Sequence, residues 1–107
     1  MPDAPTLLCK TSEVAENQVI QVTLPDHPPI AVYNLGGEFL ATAGYCTHAA
    51  AALCDGHIED DTIECPWHAA RFNIRTGKAL DFPATVDIET YTVEVQGDQI
   101  LAQLSKP

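Results

Sequence analysis

Cys46-Thr47-His48 and Cys65-Pro66-Trp67-His68 each set a thiol beside an imidazole, in the pattern C-x-H, 16 residues, C-x-x-H. Soft thiolates suit zinc and iron–sulfur clusters, and imidazole suits zinc and iron. Two Cys with two His therefore narrow the chemistry to a two-iron, two-sulfur cluster of mixed ligation or to a structural zinc ion. Zinc fingers pair like with like, two cysteines followed by two histidines. Here each segment supplies one of each. That arrangement suits two irons, with Cys46 and Cys65 on one and His48 and His68 on the other, so that each loop bridges the pair.

The elements that must position these loops read as short strands. Thr6–Cys9 is an apolar run, and Gln18–Leu24 alternates in part with β-branched residues. The stretch Pro25-Asp26-His27-Pro28-Pro29 is expected to interrupt any regular ladder. Ile30–Leu35 and Glu38–Ala43 flank Gly36-Gly37, a two-residue hairpin turn with positive φ at both positions. Thr62–Cys65 and Ala70–Ile74 bracket the second motif, and Thr76-Gly77 marks a turn. Ile88–Val95 alternates clearly and turns at Gly97-Asp98 into Gln99–Leu104. One helical turn is expected near Ser12–Glu16. The pattern is all-β, and Gly44–Gly56 and Cys65–Phe72 stand out as loops that do not fit plain strands.

With 107 residues the chain is one domain, and 46% hydrophobic residues support a core without disulfides. Its net charge of −10, from 15 acidic and 5 basic residues, argues against nucleic acid or an anionic membrane as partner. The N-terminus shows no basic-then-apolar leader and no run is long enough to span a bilayer, so a cytoplasmic protein is expected. There thiols stay reduced, and paired Cys and His point to metal.

The run from Cys46-Thr47-His48 through Leu53 and Asp55-Gly56 to Ile63-Glu64-Cys65-Pro66-Trp67-His68 resembles the Rieske [2Fe–2S] ferredoxins. The continuation Arg71–Leu80 is similar to the same family's strand and turn after the cluster. The likeness is strongest to the ferredoxin components of bacterial ring-hydroxylating dioxygenase systems, the naphthalene dioxygenase type included. It implies a Rieske fold, an antiparallel β-sandwich or barrel over residues 1–107, with a small cluster-binding subdomain of two loops at about residues 44–82. It implies Cys46, His48, Cys65 and His68 as ligands of one [2Fe–2S] cluster. The implied activity is electron transport in aromatic hydrocarbon catabolism, with no catalysis by the chain itself. A flavoprotein reductase using NAD(P)H would supply electrons, and a terminal Rieske oxygenase would receive them, in transient encounters with a monomer.

The chain departs from the family pattern at Ala49 and Ala69, where glycine is common. The resemblance also sorts the subfamily. Respiratory Rieske proteins carry two further cysteines in a disulfide, at positions that here hold Ala51 and Trp67. They set a serine and a tyrosine hydroxyl against the cluster, where Ala70 and Phe72 stand. Hydrogen bonds to sulfur favour the more negative, reduced cluster, so their loss lowers the potential. Imidazole ligation implies a potential that falls at high pH. A Rieske-like small subunit of an enzyme such as nitrite reductase, and a structural zinc module, are the alternatives.

Other candidates have plainer roles. Cys54 reads as a loop thiol, Cys9 as a small core residue, and His27 and His57 as exposed loop residues. Trp67 reads as a hydrophobic lid. Pro66 fixes its loop, and Gly44, Gly56 and Gly77 are turn residues. Arg71 and Arg75 offset the acidic surface. The aromatic substrate is not legible in a carrier that never touches it.

Overall fold

Strand-forming runs broken by glycine turns become nine strands in the computed structural model, which describes residues 5–25, 27–46, 51–66, 70–80 and 86–104. They are β1 (Thr6–Lys10), β2 (Gln18–Leu24), β3 (His27–Leu35), β4 (Glu38–Ala43), β5 (His57–Glu59), β6 (Thr62–Glu64), β7 (Arg71–Asn73), β8 (Thr90–Gln96) and β9 (Gln99–Gln103). Short 3₁₀ turns occupy Thr11–Glu13 and Leu53–Asp55. A six-stranded antiparallel sheet runs β1-β9-β8-β4-β3-β2, and a three-stranded sheet runs β5-β6-β7. The fold is all-β, as the alternation implies. No helix among the described residues is long and apolar enough to cross a membrane.

The turns follow from backbone chemistry. Gly36 and Gly37 sit at φ 64° and 98° and join Leu35 to Glu38, the geometry that lets a two-residue loop match strand twist. Asn34 braces that turn: its Oδ1 accepts from Gly37 N–H at 2.8 Å, and its Nδ2 donates to Val14 O at 2.9 Å. Gly97 alone has positive φ in the β8–β9 turn.

Side-chain parity explains the packing. Ile20, Val22, Ile30, Val32, Phe39 and Ala41 face a base core completed by Leu8, Cys9, Ile100 and Ala102. The alternate residues Val19, Ala31, Tyr33, Leu35 and Leu40 face a second core with Leu53, Ile63, Phe72 and Ile74. The β2–β4 layer is therefore a wall covered on both sides, so Ile30 through Tyr33 are all fully buried. A strand covered on both faces needs a continuous apolar run rather than alternation, which Ile30-Ala31-Val32-Tyr33 supplies. Each large side chain so buried contributes roughly 1.5–3 kcal/mol.

Several local expectations need correction. The Pro25–Pro29 stretch does not end the ladder, because β3 starts at His27, which pairs with Leu24 across a register slip. Pairing of β3 with β4 begins only at Ile30, so Pro28 and Pro29 deprive that neighbour of no bond. His27 is accordingly half-buried, its ring edge-on to Tyr91 at 5.8 Å. His57 is exposed as expected but starts a strand, which its flanking acidic residues hide. The helical turn lies at Thr11–Glu13, and β8 begins at Thr90 rather than Ile88.

Candidate metal centre

Two loops rise from this wall. The first leaves β4 through Gly44, whose N–H donates to Pro29 O at 2.8 Å and whose O accepts from Leu53 N–H at 2.8 Å. Tyr45 then bridges Ala52 in antiparallel fashion. Cys46 N–H closes the loop on Ala51 O at 3.0 Å. The second loop leaves β6, and Cys65 N–H closes it on Ala70 O at 2.7 Å. Both closures span the same distance in sequence, from a cysteine to the alanine five residues on. Each motif thus starts at the inner corner of a hydrogen-bonded loop, with its cysteine held rigidly at the root.

Both roots enter one core. Cys46 is 5% exposed and Cys65 is 1% exposed, and they share a cluster with Ala51, Ala70, Phe72 and Tyr33. Two soft donors converging from separate loops on one apolar floor fit a metal cluster. His48, Trp67, His68, Ala49 and Ala69 lie outside the described residues.

The remaining cysteines stand apart. Cys9 belongs to the base core, where burial, with Glu13 adding to it, pushes its thiol up to about 11. Cys54 sits on the Leu53–Asp55 3₁₀ turn, with Sγ 4.0 Å from both Gln21 Oε1 and Asp55 Oδ1. Burial and the Asp55 carboxylate raise its thiol, so it is not an activated nucleophile. None of the four cysteines is in a disulfide.

Several supports were not visible in the motifs. Thr42 Oγ1 donates to Ala43 O at 2.8 Å, so its single proton is used and the Tyr33 hydroxyl donates to Thr42 Oγ1 at 2.8 Å. This chain fixes the last residues of β4 just before the first loop, and burial holds the Tyr33 phenol well above its usual range. Gly44 and Gly56 are not turn residues in the conformational sense. A Cβ on Gly44 would lie 2.8 Å from Pro29 O, and one on Gly56 would overlap Glu64 O. Gly77, at φ 78°, is a true turn glycine, and Asn73 Oδ1 caps that turn by accepting from Arg75 N–H at 2.8 Å and Thr76 N–H at 3.1 Å.

Arg75 does more than offset surface charge. Its Nη1 donates to Glu38 Oε2 at 2.8 Å and its Nε lies 3.2 Å from Asp61 Oδ2. The first contact holds the Glu38 carboxyl below its usual range. The pair of contacts ties the β3–β4 turn to the β5–β6 turn, hence one sheet to the other. All three groups are substantially solvent-exposed, so the link orients more than it stabilises.

Comparison with known proteins agrees with this arrangement. The family model for the Rieske [2Fe-2S] domain matches residues 4–92. The chain is 42% identical over 100 residues to the ferredoxin component of biphenyl 2,3-dioxygenase from Rhodococcus jostii RHA1, covering 92% of each. It is 43% identical over 97 residues to the 3-phenylpropionate/cinnamic acid dioxygenase ferredoxin subunit of Escherichia coli K12, covering 90% of each. Among solved structures, the ferredoxin in the complex of reduced oxygenase and oxidized ferredoxin of carbazole 1,9a-dioxygenase superposes with a TM-score of 0.89. That match has 33% identity and covers 96% of this chain and 95% of that one. A paired-loop thiol site on an all-β wall and relatives matched almost end to end lead to one assignment: the chain belongs to the Rieske [2Fe–2S] family, and it is a ferredoxin that carries electrons.

Proposed function

We propose that this ferredoxin passes single electrons from an NAD(P)H-dependent flavoprotein reductase to the terminal oxygenase of a dioxygenase acting on an aromatic compound. It would do so as a monomeric domain in the cytoplasm, with residues 44–82 forming the cluster-binding part. The observation that carries this is near end-to-end similarity to stand-alone ferredoxin components, two of whose names specify aromatic substrates. The solved oxygenase–ferredoxin complex of carbazole 1,9a-dioxygenase supports the acceptor side.

Cys46 and Cys65 would hold one iron, and His48 and His68 the other. When bound, the cluster supplies one-electron redox chemistry. The chain's own contribution is to hold the ligands and to set what surrounds the sulfurs. Ala70 and Phe72 are fully buried beside Cys46 and Cys65 and offer no side-chain donor. Pro66, next to Cys65, has no backbone N–H to give. With these donors absent, the potential should sit near the bottom of the Rieske range, about −150 mV. Potentiometric titration with EPR detection checks this, and a midpoint above zero would overturn the low-potential reading. Phe72→Tyr puts a hydroxyl into that floor and should raise the midpoint by about 40 mV, since a hydrogen bond favouring the reduced state by roughly 1 kcal/mol is worth that for one electron.

Encounters with both partners must be brief, so steering matters more than contact area. With a net charge of −10, reduction by a reductase with a basic face should slow as salt rises through about 0.15 M. Stopped-flow rates that ignore ionic strength would remove charge steering from the reductase step.

A further inference from the structure

The ladder between β4 and β8 stops early. Ala41 pairs with Tyr91 and Thr42 with Thr90, and Ala43 N–H donates to Glu89 O at 2.8 Å. Yet β4 begins at Glu38 and β8 runs on to Gln96. Beyond Ala41 the strands separate around a groove of about 530 Å³, whose lining includes Phe39, Leu40, Tyr91, Val93, Val95 and Arg75. It opens at the end of β4 opposite to the one that leads into Cys46, so it is not part of the metal centre.

Register shows which backbone groups face this groove. Leu35 and Glu38 close the two-residue β3–β4 turn, so the even-numbered residues of β4 bond to β3 and the odd-numbered ones face β8. Gln96 and Gln99 close the β8–β9 turn, so the odd-numbered residues of β8 face β4. Phe39, Val93 and Val95 therefore direct N–H and C=O groups into the groove, where no strand pairs with them among the described residues. Their side chains form an apolar floor, and Val95 is 46% exposed. At its rim Glu38 and Asp61 share the single guanidinium of Arg75, which leaves that group of charges net acidic. Open backbone groups beside alternate apolar pockets are what an added strand requires, and the acidic rim selects its charge.

We propose that this groove receives an extended, basic strand of a partner protein, with apolar side chains at alternate positions, paired against Val93–Val95. A second copy of this chain is disfavoured, because two molecules of net charge −10 repel. A site remote from the metal centre would let a partner stay attached while the electron-transfer face is free.

The test uses ¹⁵N-labelled holoprotein and two eight-residue peptides, one alternating lysine with valine and one alternating glutamate with valine. The lysine peptide should slow amide exchange at Phe39, Val93 and Val95 at least ten-fold, and the glutamate peptide should not. Val95→Pro removes an N–H that faces the groove and none that bonds β9, so it should weaken the lysine peptide at least ten-fold with an unchanged visible spectrum. A lysine peptide N-methylated along one edge should lose affinity to the same extent on the unaltered protein. Binding that leaves those three amides unprotected, or that tolerates both changes, overturns the proposal. Protection of the same amides by raising protein concentration alone overturns it in favour of self-pairing.

Discussion

Cys65→Ala should yield a colourless protein that retains essentially no iron, and Cys46→Ala should do the same. Cys54→Ala and Cys9→Ala should both keep the chromophore. The four cysteines are equivalent by composition and are separated only by position. Cys46 and Cys65 root the two loops and meet in one core, whereas Cys9 packs in the base core and Cys54 rides a 3₁₀ turn. Losing the cluster should also loosen the loops that its binding orders. Hydrogen exchange of the cluster-free variant should show faster exchange at Cys46 and Cys65 while β1 and β9, which face only the base core, stay protected. Iron analysis with visible absorption decides the first point. A coloured Cys65→Ala protein would remove it from the ligand set.

Gly56→Ala should be among the most damaging single methyls in the molecule. The glycine has φ −87°, so the backbone itself would accept alanine. The obstacle is the Glu64 carbonyl oxygen, which the new Cβ would overlap, with Leu53 O only 3.1 Å away on the other side. Both neighbours are backbone and cannot swing aside, so Glu64 must move, and Cys65 with it. A loss of about 2–4 kcal/mol is expected, which lowers the melting temperature of a domain this size by about 10–20 °C. Faster iron release should accompany it, because the shift reaches a loop root. Gly36→Ala is the contrast: its Cβ meets nothing within 4 Å, and only the positive φ is costly, at about 1–2 kcal/mol. Thermal unfolding of the three holoproteins, with iron release followed by chelation, checks the order. Equal melting points would show that the Gly56 contact relaxes freely.

What could be read before folding was whatever depends on neighbours in sequence. Gly36-Gly37 announces its hairpin because positive φ is a property of the turn itself. The apolar run from Ile30 to Tyr33 fits a strand covered on both faces, though only the second sheet shows what covers it. Cys46 and Cys65 stood out as candidate ligands because motif spacing is local. The supports did not. Nothing beside Gly56 in sequence marks Glu64 as its contact, and nothing near Tyr33 marks Thr42, because strand pairing across the β3–β4 hairpin creates that meeting. Pro28 and Pro29 misled for the same reason. A proline's cost in a sheet depends on whether a neighbour wants its N–H, and β4 is too short to ask. β5 was hidden because His57-Ile58-Glu59 has one apolar residue, enough for a three-residue strand only where β6 is waiting.

The two outer edges of the large sheet are not straight. β1 slips register between Leu7 and Cys9, and β2 slips between Val22 and Leu24. A flat, open edge is a template on which like chains polymerise, and a bulge twists it out of line. A shuttle is useful only when abundant and always dissociating, which are the conditions that most reward stray pairing. The irregularities in β1 and β2 thus act as stoppers, letting the molecule be crowded without zipping into fibres.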